Sequence, residues 1–167
     1  MSLPDAEKLC DELVGQLEPR LGAKSAMIGI HTGGAWLAER LHARLGIKEP
    51  LGLMDIAFYR DDYHAQGLHH DPKRTRIPFD VSGRDLLLVD DVLYTGRTVR
   101  AAMNELFDYG RPASVALVVL VDRGGRQLPI CAQYCGARVD VPKGRRLRLT
   151  RAADGRLALE LEAERAA

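Results

Sequence analysis

Nowhere does the sequence run to the roughly 18 consecutive apolar residues that a membrane-spanning helix needs, and no short apolar stretch marks its N-terminus. A cytoplasmic chain with no membrane partner is therefore expected. Cysteine is scarce: Cys10, Cys131 and Cys135 form an odd set without C-x-x-C spacing, which argues against a disulfide framework and suits a reducing compartment. Cys131 and Cys135 are expected to be packing residues, as free cysteines usually are. Neither sign of charge dominates, with 24 Lys and Arg against 23 Asp and Glu, so any basic surface must come from local clustering. Aromatic residues make up only 5% of the chain, which leaves little for stacking on unpaired bases. Two nucleotide-binding patterns are also missing, the G-x-x-x-x-G-K-[ST] of P-loops and the G-x-G-x-x-G of dinucleotide sites.

What the chain does hold is an alternation of helical and strand patterns without a linker, a repeat or a low-complexity segment. With 46% of its 167 residues hydrophobic it can bury one sizeable core, and residues 1–167 are expected to form a single domain. Ser2, Pro4 and Asp5 read as a helix start, followed by Leu9, Leu13, Leu17 and Leu21 at helical spacing. The stretch "SAMIGIHTGG" reads as a strand ending in a Gly-rich turn, and "AWLAERLHARLG" as a helix closed by Gly46. A second strand is predicted in "LGLMDIAFY". Residues 60–80 mix charges with two prolines and show no apolar period, which predicts a long exposed loop. The runs "LLLVDD" and "ASVALVVLVD" are strands of continuous apolar type with a helix between them. Such strands, separated by helices, predict an α/β fold on a parallel sheet with helices on both faces. Towards the end, Leu147 and Leu149 alternate with charges, Asp154-Gly155 supplies a turn, and Leu157, Leu159 and Leu161 alternate again: a β-hairpin with one wet face.

The stretch "LLLVDDVLYTGRTVRAAMNEL", residues 86–106, carries the chemistry. An apolar strand ends in two adjacent carboxylates, Asp90 and Asp91. A turn of small residues follows, Thr95-Gly96-Arg97-Thr98, and then a helix with Val99, Ala102, Met103 and Leu106 on one face. Ligands of parallel α/β sheets bind beyond the carboxyl ends of the strands, where a helix N-terminus offers unpaired N–H groups. Thr95 to Thr98 therefore suit a phosphate, with Gly96 letting the backbone approach. The two carboxylates would repel that phosphate, so they must face hydroxyls, a divalent metal or a developing positive charge. A sugar phosphate meets all these needs. The plainer reading, in which the pair only caps a loop, does not account for its place at the strand end.

The segment "VDDVLYTGRT" resembles the phosphoribosyl pyrophosphate (PRPP) signature of type I phosphoribosyltransferases. Together with "YRDD", "GRP" and "VDRGGRQLPI" it is similar to the branch of that family in which uracil phosphoribosyltransfer is joined to attenuation of pyrimidine operons. The resemblance runs from about residue 28 to the final hairpin. It implies a type I phosphoribosyltransferase fold with a small hood that includes the C-terminal β-hairpin, and an enzyme making UMP and pyrophosphate from uracil and PRPP. It also implies that Asp90 and Asp91 bind the ribose hydroxyls and favour an oxocarbenium-like charge. Val92, Leu93, Tyr94, Thr95, Gly96, Arg97 and Thr98 would wrap the 5-phosphate. Thr32, Gly33 and Gly34 would form the pyrophosphate loop, with Mg²⁺ brought in by PRPP. Arg60 and Arg76, with Lys73 and Arg74, are candidate pyrophosphate contacts on a loop that closes over the site. Arg123 would sit near the base, and backbone around Val139 would read the uracil edge. The family resemblance further suggests dimers or tetramers.

Two features depart from that pattern. The pyrophosphate loop of this branch usually reads Thr-Arg-Gly, so Gly33 removes a cation from the leaving group. Three histidines, His31, His69 and His70, lack the carboxylate or cysteine spacing of a metal site. The alternative function implied by the resemblance is an RNA-binding attenuator that senses UMP or UTP with the same pocket. RNA binding is expected to be weak here. Residues 1–22 hold five acids (Asp5, Glu7, Asp11, Glu12, Glu18) against two bases (Lys8, Arg20), a surface expected to repel RNA. The opposing cluster of Lys143, Arg145, Arg146, Arg148 and Arg151 is expected to be a solvated hairpin face.

Overall fold

Alternation along two central strands decides the architecture. The computed structural model describes residues 2–56 and 75–165. Strand β3 spans Asp85–Leu93 and strand β4 spans Ser114–Asp122, paired in parallel from Asp85 opposite Ser114 to Leu93 opposite Asp122. Their apolar side chains point alternately to the two faces, as strand geometry requires. Leu87, Val89, Val118 and Leu120 enter one core, while Leu86, Leu88, Leu117 and Val119 enter another. A strand buried on both faces needs an uninterrupted apolar run, which is what these segments carry.

Strands β1 (Ser25–Ile30), β2 (Gly52–Met54) and β5 (Tyr134–Arg138) complete a five-stranded sheet in the order β2-β1-β3-β4-β5, and all its pairings are parallel. Helices α1 (Ala6–Leu17) and α2 (Gly33–Leu45) cover the first face, where Leu9, Leu13, Leu17, Leu37 and Leu41 are buried. Helix α3 (Arg97–Leu106) covers the other with Val99, Ala102 and Leu106. The predicted hairpin is present as β6 (Arg145–Arg151) and β7 (Leu157–Ala163), antiparallel, with Leu147 opposite Leu161 and Leu149 opposite Leu159. Leu147, Leu149, Leu157 and Leu159 join the core of α1 and α2. The hairpin reaches from the end of β4, where Arg123 Nη2 donates to Arg145 O, to α2, where Arg151 pairs with Glu39 and lies over the Trp36 ring.

Several local expectations change. The cap of α1 is Asp5, whose carboxylate accepts from the Glu7 and Lys8 amides, and Ser2 lies outside the helix. Gly33 and Gly34 are the first two residues of α2, so the chain passes from β1 to the helix through only His31 and Thr32. Within residues 60–80, the described part is not an exposed loop. Arg76 exchanges both backbone hydrogen bonds with Leu53 of β2, and Ile77 and Phe79 pack against the second core. Residues 57–74 lie outside the described residues, and with them the end of the predicted second strand. Strand β5 was not expected from "YCGAR", which has no apolar run. Cys131 is exposed instead of packed, because it sits in the connection before β5, whereas Cys10 is fully buried and Cys135 partly so.

Candidate active site

All five parallel strands end at one edge, and the candidate residues collect there. Register puts Val89 opposite Gly29, so Asp90 and Asp91 stand level with the chain leaving β1, and it puts Leu93 opposite Asp122, so Arg123 follows just beyond. Asp90 is only 3% exposed and its Oδ1 accepts the Asp91 N–H at 3.0 Å. Asp91, one residue on, is partly open, and its carboxylate lies against Gly33 as that of Asp90 lies near Gly34.

Two glycines let helix α2 press onto this pair. A Cβ built on Gly34 would lie 2.7 Å from Val89 O and 2.9 Å from the Asp90 Cα. One built on Gly33 would lie 2.2 Å from Asp91 Oδ2. No side chain fits at Gly34 against the Val89–Asp90 backbone, nor at Gly33 while Asp91 keeps its place. The missing cation at Gly33 thus has a steric counterpart: the space that a side chain there would need is filled by Asp91. The Thr32 side chain makes no capping bond, so the first amides of α2 are left for another acceptor. The His31–Thr32 peptide is cis.

The candidate phosphate turn is shorter than the motif. Val92 and Leu93 still belong to β3 and pack into the two cores, while Tyr94, Thr95 and Gly96 form the turn and Arg97 and Thr98 open α3. Gly96 has φ +93°, a left-handed conformation that favours glycine, and its Cβ would meet Ile130 at 3.0 Å. Thr95 Oγ1 accepts the Arg97 N–H at 3.2 Å. Behind the turn, Thr95 O accepts from the Gln127 and Leu128 amides at 2.9 and 3.1 Å, and Arg97 Nε donates to Gln127 Oε1 at 2.9 Å.

Arg123 lies over the Tyr94 ring, 3.9 Å from its centroid, and its Nε is buried with no hydrogen-bond partner among the described residues. Gly125 makes room for the ring, since a Cβ there would fall 2.4 Å from Tyr94 Cε2. Burial by itself would push the Asp122 carboxyl up. Hydrogen bonds from Arg126 and the Gly124 amide, with the charges of Arg126 and Arg138, outweigh it and hold the carboxyl below the ordinary value. Val139 N–H is committed to Asp122 O at 3.0 Å and is not available to a ligand.

The structure therefore brings Thr32, Gly33, Gly34, Asp90, Asp91, Tyr94 to Thr98, Arg123 and Val139 to one edge. Arg76 lies beside β2, and its guanidinium makes no hydrogen bond or ion pair among the described residues. Arg60, Lys73, Arg74, His69 and His70 lie outside the described residues. Among those described, no group of three His, Cys, Asp or Glu could hold a metal ion. Sequence reasoning missed Asp122, Arg126 and Gln127. Their only signal was the Asp and Arg four residues apart in "VDRGGRQLPI".

Comparison with known proteins agrees with this geometry. The phosphoribosyl transferase domain family matches residues 2–138. A bifunctional protein PyrR of Pseudomonas aeruginosa is 46% identical over 96% of this chain and 95% of its own length. That of Ralstonia nicotianae is 51% identical over 96% and 88%, and that of Nitrosococcus oceani 55% identical over 76% and 73%. Among solved structures, a hypoxanthine phosphoribosyltransferase of Staphylococcus aureus superposes with a TM-score of 0.62 at 25% identity, covering 83% of this chain and 74% of that one. A purine phosphoribosyltransferase of Pyrococcus horikoshii gives 0.61 at 21% identity, covering 80% and 82%, a likeness of fold. With an acid pair seated against the start of α2, a glycine turn opening α3 and relatives matched along nearly the whole chain, this protein belongs to the phosphoribosyltransferase family, among the PyrR proteins.

Proposed function

We propose that the protein transfers the phosphoribosyl group of PRPP to uracil, giving UMP and pyrophosphate, with residues 1–167 acting as one domain. The observation that carries this reading is the juxtaposition of the acid pair, Asp90 buried and Asp91 partly open, with the first turn of α2 and the Tyr94–Gly96 turn. One edge then offers acceptors for ribose hydroxyls between two sets of backbone donors for phosphates. Asp90 and Asp91 accept from the ribose hydroxyls and stabilise the positive charge that develops at the anomeric carbon as pyrophosphate leaves. Thr95, Gly96 and the Thr98 hydroxyl take the 5-phosphate, and the amides of Gly33 and Gly34 take the pyrophosphate. Arg60 and Arg76 are further pyrophosphate contacts.

On the base side, Arg123 Nε, which has no partner among the described residues, is a donor for a pyrimidine carbonyl, and the Val139 carbonyl is an acceptor for a ring N–H. Tyr94 supports uracil over purines. In purine-salvage relatives this position is an acid placed to handle the proton on N7, whereas the more acidic N1–H of uracil needs no strong enzymic base.

Mg²⁺ fits this donor set. It commonly binds through one or two carboxylates together with substrate phosphates, and Asp91 offers a partly open carboxylate beside the pyrophosphate loop. When bound it neutralises charge on the leaving group. Among the described residues no helix is long and apolar enough to cross a membrane. We take the active form to be a dimer or tetramer. Incubating the protein with Mg²⁺, PRPP and uracil and following UMP and pyrophosphate tests the reading. Stoichiometric release of both is expected, and hydrolysis of PRPP without UMP would overturn it.

A further inference from the structure

Arg126 belongs to no phosphate or base contact described above, yet it is tied to both sides of the site. Its guanidinium makes three bonds: Nη1 to Tyr94 O at 2.7 Å, Nη2 to Asp122 Oδ2 at 2.5 Å and Nε to Ile130 O at 3.0 Å. A planar fork held at three points is rigid in a way that a lysine ammonium cannot be. Two consecutive glycines with positive φ, Gly124 at +71° and Gly125 at +73°, turn the chain back so that Arg126 lies beneath the residues it follows.

The consequence for the phosphate turn follows from peptide geometry. In a trans peptide the C=O and the next N–H point in opposite directions. Tyr94 O is drawn towards Arg126, and Thr95 O towards the Gln127 and Leu128 amides. The Thr95 and Gly96 amides, which share those two trans peptides, therefore point the other way, out of the protein's own hydrogen bonding. Neither donates to a group among the described residues. Segment 126–130 thus pulls the carbonyls of the turn backwards and presents its donors forwards.

We propose that Arg126 is a positioning residue of the transferase site: it aims the Thr95 and Gly96 amides at the 5-phosphate and locks that turn to Asp122, the neighbour of Arg123 on the base side. It touches no substrate. This inference rests on the phosphoribosyltransferase reading and deepens it, because it makes one side chain set the affinity for PRPP and the seat of the Tyr94 ring under Arg123 together.

Kinetics of Arg126→Lys and Arg126→Ala test the assignment, with the parent measured alongside. Loss of one charge-assisted bracket should raise KM for PRPP about 10-fold or more, with a change in kcat of less than about 3-fold, because binding of the 5-phosphate is largely uniform. A role confined to folding would lower the active fraction, and so kcat, at unchanged KM. Free guanidinium at a sub-denaturing concentration should restore the KM of Arg126→Ala, and methylammonium at the same concentration should not. The parent supplies a readout that needs no variant: addition of ribose 5-phosphate should shift the backbone ¹⁵N–H resonances of Thr95 and Gly96 and leave those of Gln127 and Leu128 nearly unmoved. Folded variants with the parent KM for PRPP, or unmoved Thr95 and Gly96 resonances in a parent that turns PRPP over, overturn the inference alone. A parent that takes neither PRPP nor ribose 5-phosphate overturns the inference and the transferase reading together.

Discussion

Asparagine at position 90 or 91 keeps the shape of the carboxylate and removes its charge, so each change isolates the electrostatic role. Asp90→Asn and Asp91→Asn should each lower kcat/KM by about 10²-fold or more, the scale of losing one preorganised contact, with melting temperatures near that of the parent. Turnover like the parent's in both variants would sink the assignment of the pair. Gly33 gives a steric counterpart to this test. Because its Cβ would fall 2.2 Å from Asp91 Oδ2, Gly33→Ala should displace that carboxylate and cost about 10-fold or more in kcat/KM. The loss should shrink in an Asp91→Asn background if the two residues act through each other, and independent losses would contradict the contact. The thiols give a check on burial. Burial, aided by the charge of Glu7, pushes the Cys10 thiol up to about 11 from the ordinary 9.0. Cys131 should therefore react first with a thiol reagent at neutral pH, and Cys10 only after unfolding. A folded-state value above the unfolded one means that Cys10 supports the fold fully below pH 9.0 and loses that contribution as pH rises towards 11.

At the scale of elements, the hairpin is part of the core. Leu149 is 1% exposed among α1, α2 and the sheet, so Leu149→Ala should cost about 2–5 kcal/mol in urea unfolding. The outward Arg148, paired to Glu162 in the open, should cost under about 1 kcal/mol when replaced by alanine. Equal effects would mean that the hairpin does not pack as described. The central strands were legible because double burial forces a continuous apolar run, and the acid pair was legible because two charges ending such a run have no packing role. Strand β5 was not. It contains Gly136, whose Cβ would fall 2.6 Å from Leu120 O, so close approach to β4 selects that residue where a strand signal would want a larger one. The start of α2 was misread for a related reason: glycines that look like a turn are there because the helix must sit on Asp90 and Asp91. Arg126 was illegible because its partners are mostly backbone carbonyls, which leave no mark in a sequence. Its Asp122 partner carries a pH signature. A folded-state value held below 3.8 adds stability at higher pH that is lost as pH falls through it, so Asp122→Asn should flatten the acid limb of the stability curve.

Across the whole molecule, charge is arranged in local pairs. The acids of α1 are not a bare negative face: Glu7 pairs with Arg40 and Asp11 with Arg44, both from α2, so the expected repulsion of RNA from this surface is reduced. The basic hairpin is paired in part, since Arg148 bonds Glu162, Arg151 bonds Glu39, and Arg146 stands opposite Glu162 in register. A surface so paired should give weak, salt-sensitive binding to pyrimidine-operon leader RNA at about 0.15 M salt; tight, UMP-enhanced, sequence-selective binding would instead favour the attenuator role. The fold is shared with purine and hypoxanthine transferases at a TM-score near 0.6, so the architecture leaves the base open and the site must choose it. Tyr94, stacked under Arg123 where purine-salvage relatives carry an acid, is the residue that makes this choice in our account. The most direct measurement is the initial rate of PRPP consumption with Mg²⁺ and each of uracil, hypoxanthine and guanine under identical conditions. UMP should form with little or no purine nucleotide, and faster turnover of hypoxanthine or guanine than of uracil would contradict a uracil-selective site.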